Sequence, residues 1–364
     1  MKLRYIILLT LCGAPSPVLY GDAFVQTILV SDLPTENAAH VDSNLIDPWG
    51  MAFSATSPIW VSDRATGVAT LYNGKTGAPV SLVVTVPPGT ATTGPTGQVF
   101  AGPTTSFTLN GSPASFIFDT LGGTIDAWNG GATATVVATT AGAIYEGLAI
   151  ANNRLYAANF VPGGGINVFD SSYHPVTLSS TAFTDPSIPA GYAPFNVQTI
   201  NGNLYVEYAK LSSTTPVPLP GGGGYVDVFD TNGNLIQQIR SAQFDAPWGV
   251  TIAPATGFGS FSGDLLIGNF GTGTIGAYNP STGVFLGTIA DIAPGLWALD
   301  FGNSSAFPNA LYFTDGINRG TDGLFGYIQD VPEPGAFGLG VLGILGLLGY
   351  AWQRRSNLLR TYFQ

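Results

Sequence analysis

Between residues 22 and 330 apolar and polar positions alternate in short runs, and no stretch holds a 3.6-residue period long enough for a helix. The runs recur. Six segments share one pattern: DPWGMAF at 47–53, GPTGQVF at 94–100, IYEGLAI at 144–150, PFNVQTI at 194–200, APWGVTI at 246–252 and GLWALDF at 295–301. Aligned on their small residue they give Gly50, Gly97, Gly147, Asn196, Gly249 and Ala298, spaced by 47, 50, 49, 53 and 49 residues. A second strand-like run follows each, such as IWVSD at 59–63 or ALYFTD at 310–315, and then a Gly-rich turn and a third run. Five third runs close on Asn73, Asn129, Asp170, Asp230 and Asn279, which is turn chemistry leading into a fourth strand. Fourth runs are visible as PVSLVVTV, ATVVATT, NLIQQIR and GVFLGTI. Four short strands per unit of about 50 residues predict an all-β chain folded as a six-bladed β-propeller over 22–330. The sixth unit stops after Gly326-Tyr327-Ile328, and the strand-like run Ala23 to Val30 has no unit of its own. Pairing the two closes the ring and protects the edge strand.

Both ends depart from this pattern. Lys2 and Arg4 precede the largely apolar run Tyr5 to Cys12, and small residues follow at Gly21 and Ala23. That order predicts a secretory signal peptide over 1–21. At the other end Ala336 to Trp352 is a stretch of 17 residues without a charge, and Arg354 and Arg355 follow it. As a helix it is about 25 Å long, at the short end of the membrane-spanning range. The basic pair predicts a cytoplasmic C-terminus with the body outside. The order Pro332-Glu333-Pro334, apolar stretch, then Arg354-Arg355 resembles the PEP-CTERM sorting tail of Gram-negative bacteria, which would occupy 331–364. The resemblance implies an exosortase-type processing peptidase as partner. It also implies transient anchoring in the inner membrane, then passage to the cell surface or extracellular matrix. The body is similar, along LIDPWGMAFS, FIFDTLGGTIDAWN, INVFDSSYHPVTL, FTDPSIPAGYAPFNVQ and other stretches across 23–328, to an uncharacterised bacterial family of exported six-bladed propellers. Many of these end in the same tail, and the likeness implies no activity and no catalytic residue.

Composition narrows the chemistry. Residues 22–330 carry 6 basic and 21 acidic side chains, a net charge of −15, which argues against nucleic acid as a partner. Cys12 is the one cysteine and His40 and His174 are the two histidines, so intrachain disulfides and Cys- or His-rich metal centres are excluded. Propellers bind ligands at the mouth of their central channel. Beside the repeat Gly stand Trp49, Thr96, Glu146, Phe195, Trp248 and Trp297, and the second runs end in Asp63, Asp119, Asn159, Tyr208, Asn269 and Asp315. The Trp set, with Glu146 and Phe195, would form stacking platforms for a glycan or pack between blades. The Asp and Asn set would cap turns. Alternatively Asp63, Glu146, Asn159, Asn269 and Asp315 would hold a hard cation such as Ca²⁺, as in a Ca-dependent lactonase or hydrolase. The leading expectation is a non-enzymatic binding or scaffold protein of the envelope or exopolysaccharide matrix, with glycan or an envelope protein as its partner.

Overall fold

Alternation and closely spaced turns fold the repeats into six sheets, the blades of a propeller. The computed structural model describes residues 23–213 and 217–331. The first blade is built from Pro48–Ala52, Ile59–Asp63, Val68–Tyr72 and Val84–Thr85, and the second from Pro95–Phe100, Phe116–Thr120, Thr124–Trp128 and Thr135–Thr139. The third holds Tyr145–Ala151, Arg154–Asn159 and Ile166–Asp170 only. Tyr192–Ile200, Asn203–Lys210, Gly224–Phe229 and Leu235–Ile239 make the fourth, and Pro247–Ile252, Leu265–Asn269, Thr274–Tyr278 and Phe285–Asp291 the fifth. Strands adjacent in a blade run antiparallel, with the first strand of each lining the central channel.

The sixth blade is closed from the other end of the chain. Leu296–Phe301, Leu311–Asp315 and Leu324–Val331 are flanked by Ala23–Ser31, with His40–Val41 parallel outside it. Leu29 and Val30 are buried, and Ser31 Oγ donates to Gly323 O at 2.9 Å. The predicted closure is the observed one.

Two outer strands fall short of the pattern. In the first blade only Val84–Thr85 pairs as a strand, with one further bridge from Pro79 to Tyr72. Proline lacks the donor a ladder needs, and Pro79, Pro87 and Pro88 bracket this segment. The third blade has no fourth strand, and the chain after it leaves the sheet beyond one bridge from Pro175 to Phe169. The closing Asn and Asp residues act as expected in four units. Asn73, Asp170, Asp230 and Asn279 each accept a backbone N–H two residues on, while Asn129 instead donates Nδ2 to Leu109 O.

Neighbouring blades are held by apolar side chains between their faces. Trp60 of the first blade stacks on Phe116 of the second at 4.1 Å, and Tyr72 of the first on Phe325 of the sixth at 5.4 Å. The expected signal peptide, the Pro332-Glu333-Pro334 element, the helix at 336–352 and the Arg354-Arg355 pair lie outside the described residues. Among the described residues no helix is long and apolar enough to cross a membrane.

Candidate functional site

The repeated small residue has a physical cause. In every blade the register between first and second strands shifts at this position: Pro48 pairs with Asp63 but Met51 with Val61, and Leu296 with Asp315 but Leu299 with Phe313. The same bulge falls at 95–98, 145–147, 194–196 and 247–250. A bulge bends the strand and re-aims its extra residue. Here it brings Trp49, Glu146 and Trp297 to one end of the channel, called here the upper mouth.

The small residue beside each bulge lets adjacent first strands touch. A Cβ on Gly147 would stand 2.0 Å from Asn196 Oδ1, and one on Gly97 2.3 Å from Leu148 N. Asn196, the one amide in the series, uses its side chain as a bridge and donates Nδ2 to Trp248 O at 2.6 Å. Thr96 Oγ1 donates to Tyr145 O at 2.8 Å, and Thr314 Oγ1 to Trp49 O at 2.6 Å, so hydrogen bonds link blades around the ring.

The upper mouth is a cavity of about 370 Å³, within the size range of small-molecule sites. Trp49, Trp297, Leu121 and Phe270 form its apolar wall, and Asp47, Arg64, Glu146 and Arg319 bring charge to it. Trp297 is the hub beneath. Its ring stacks on Trp49 at 3.6 Å, lies 4.3 Å from Phe270, and meets Trp248 edge-on at 5.7 Å. Trp49, Trp248 and Trp297 are each at most 5% exposed, so much of their faces is spent on one another. Trp49 and Trp297 still line the cavity. Trp248 and Phe195 do not; they support it from below, Trp248 donating Nε1 to Glu146 O at 3.0 Å. Trp248→Ala should therefore cost about 3–5 kcal/mol of stability, as a buried aromatic truncation does. A chemical melt that moves by less than about 1 kcal/mol would refute that packing role.

Glu146 is buried, and its Oε2 has no hydrogen-bond partner. Burial, reinforced by Asp119, pushes its acid well above the ordinary range, which favours the uncharged form. Asp47 is pushed up by burial too, while the Arg64 guanidinium paired with it and the indole N–H of Trp49 at 3.0 Å act in the opposite sense. Arg64 also donates to Ala91 O at 2.5 Å, which fixes it as a strap across the mouth.

The five oxygen ligands expected for a hard cation are Asp63, Glu146, Asn159, Asn269 and Asp315. Among the described residues no three His, Cys, Asp or Glu side chains form a group able to hold a metal ion. Asn159 Oδ1 accepts from Ile144 N at 3.0 Å and Asn269 Oδ1 from Asp245 N at 2.9 Å. Asp63 Oδ2 accepts from Thr70 Oγ1 at 2.7 Å. Asp315 is buried with both oxygens unpartnered, and burial raises its acid to about 8. Strand-end acids and amides mostly hold their own blades, because a strand end leaves backbone donors that a short polar side chain can reach.

Asp47, Arg64, Leu121, Phe270 and Arg319 are mouth residues that the repeat alignment does not single out. Asp47 opens the first aligned segment two positions before its Trp, Arg64, Leu121 and Phe270 follow the ends of second strands, and Arg319 belongs to an insertion peculiar to the sixth unit. The signal available was scarcity: Arg64 and Arg319 are two of only six cations in the body.

Comparison with known proteins bears on the ends and the fold. A family model for the PEP-CTERM protein-sorting motif matches residues 330–355, which implies export and exosortase-type processing of a membrane-anchored tail. An uncharacterized protein of Acanthamoeba polyphaga mimivirus is 29% identical over 81% of this chain and 77% of its own length. A second protein of that virus is 32% identical over 50% of each chain, so the match spans half of that relative. Among solved structures, a streptogramin B lyase superposes with a TM-score of 0.51 at 12% identity, over 85% of this chain and 98% of its own. Virginiamycin B lyase from Staphylococcus aureus gives 0.50 at 12% identity, over 85% and 100%. At such identity the likeness establishes the shared propeller fold, on a chain that ends in an export-sorting motif.

Proposed function

We propose that this chain is an exported propeller whose upper mouth binds a glycan unit of the cell envelope or exopolysaccharide matrix. The tail would hold it briefly in the inner membrane, with the body outside the cytoplasm, until an exosortase-type peptidase cuts near Pro332-Glu333-Pro334. One observation carries the reading: a cavity of about 370 Å³ where an apolar wall faces the buried carboxyl of Glu146, whose Oε2 has no partner among the described residues. A sugar ring has the complementary make-up, with an apolar C–H face and hydroxyl groups at its rim. Burying the Glu146 carboxyl without a partner costs free energy, and a ligand hydroxyl accepting from it would recover that cost. Binding needs no poised base, in keeping with a body that has two histidines, neither of them at this mouth.

The test is a titration of the full-length chain in detergent with a panel of envelope polysaccharide fragments. Intrinsic tryptophan emission reports on it, because Trp49 and Trp297 line the cavity. Glu146→Met keeps roughly the volume and removes the hydrogen-bonding group. It should weaken the responding ligand about five- to tenfold, the loss of one hydrogen bond, with the melt intact. No response across the panel, or equal affinity in the variant, would overturn the reading.

A further inference from the structure

We infer that the upper mouth selects a carboxylate-bearing sugar ring, a uronic acid, with Arg319 as the residue that reads the carboxylate. This deepens the glycan reading and rests on it. Arg319 lines the cavity, is exposed, and has no hydrogen-bond or ion-pair partner among the described residues. The other cation of the mouth is already spent, since Arg64 is paired with Asp47 and tied to Ala91 O. Arg319 is thus the cation of the mouth left without a partner among the described residues, in a body of net charge −15.

The backbone supports the assignment. Asn318 and Arg319 adopt φ of 54° and 64°, both left-handed, within the short turn Ile317–Gly320. An arginine rarely takes that conformation, and such strain persists where the surroundings impose it, often at ligand contacts. Gly316 and Gly320 seat the turn directly on Asp47: a Cβ would come within 2.2 Å of Oδ1 at Gly316 and 2.8 Å at Gly320. The turn is thus pressed against the ion pair of the mouth, with Arg319 at its rim.

The division of labour follows from charge. Burial disfavours a charge on Glu146, and in its uncharged form it adds a donor without repelling an anion. Arg64 with Asp47 is neutral as a pair. Arg319 alone supplies net positive charge, and a guanidinium fits a carboxylate through two parallel N–H donors. An uncharged sugar would satisfy Glu146 and the apolar wall but leave Arg319 unpaired. The long-range field of the body opposes anions and is screened by salt more than a short contact is, so the preference rests on the contact and persists at moderate salt.

Methyl glucuronide and methyl galacturonide are the probes, each compared with its neutral methyl glycoside on the full-length chain in detergent. The uronides should bind about fivefold tighter or more at moderate salt, where the repulsive field of the body is screened. Arg319→Gln keeps the left-handed residue equally strained. It should bring uronide and neutral glycoside within twofold of each other with the melt intact. Arg319→Lys should restore part of the preference, and Glu146→Met should weaken both series alike. Equal binding of uronide and neutral parent by the unaltered chain would overturn the inference and leave the glycan reading in place. A preference that survives Arg319→Gln would overturn the role of Arg319. Binding of neither sugar series would overturn the uronic acid assignment, and the fragment panel would then decide the broader reading independently.

Discussion

Removal of Ala23–Ser31 should abolish cooperative folding of the propeller. That segment is the fourth strand of the sixth blade, joined to Leu324–Val331, and it is contributed from the opposite end of the chain. Its loss exposes the edge of Leu324–Val331 and leaves His40–Val41 without its strand partner. Leu29 and Val30, at 3% and 0% exposure, leave the core, each worth about 1.5–3 kcal/mol of burial. Phe24 leaves its contact with Phe258 at 4.9 Å, and Ser31 its bond to Gly323. Against a typical stability of about 5–15 kcal/mol these losses approach the whole. The truncated chain should aggregate through its open edge and bind a hydrophobic dye without a melting transition. A peptide of residues 23–31 added during refolding should restore part of the transition. A truncated chain that melts like the parent would show that the ring closes without this strand.

The second large effect is a loss of stability as pH rises. Burial raises Asp119 and Asp126 to about 7 and Asp315 to about 8, while unfolded aspartates titrate near 3.9. Below about pH 4 both states hold the proton, and the contribution to stability is fully present. Between there and the folded value the native chain keeps a proton that the unfolded chain has released, so stability falls with rising pH. From about pH 5 to 7 one such acid removes about 2.7 kcal/mol, or roughly 5–10 °C of melting temperature for a domain of this size. Asp63, Glu146 and Glu207, raised well above their usual range by burial, act in the same direction. Asp170, Asp185, Asp230 and Asp322 are held low, so they lose their contribution only below about pH 4, outside this window. The melting temperature should therefore drop by about 10 °C or more between pH 5 and 7.5. Asp315→Asn, neutral at every pH and of the same shape, should flatten the slope by about one proton. A melting temperature that climbs across this range would contradict the assignment of these acids as neutral in the native state.

Most of the architecture was legible in the sequence. The six small residues from Gly50 to Ala298 give the blade count, because a propeller repeats one packing problem six times and solves it with the same residue type. The closing role of Ala23 to Val30 followed from an unpaired strand at each end. The Asx turns at Asp170 and Asp230 followed from local chemistry, which acts over two to four residues and needs no tertiary partner. The missing outer strand of the third blade departs from the reading, because Asp170 makes the same local turn as its counterparts and the chain leaves the sheet only beyond it.

What the sequence determined by itself was therefore whatever is local or repeated: strand, turn, blade number and the export tail. The tertiary structure alone decided which residues meet at the mouth. Trp49, Trp248 and Trp297 occupy one column of the repeat, yet two line the cavity and one lies under it. Asp63, Asn159 and Asn269 share the strand-end position, yet each is drawn to its own blade's backbone or hydroxyl donors. Asp47, Arg64, Glu146 and Arg319 come from the first, third and sixth units and share no motif. Repeat periodicity fixes what every blade must do to close the ring. A site at the axis breaks that symmetry, because it uses each blade's departure from the repeat, and those departures acquire a common purpose only when closure brings them within reach of one another.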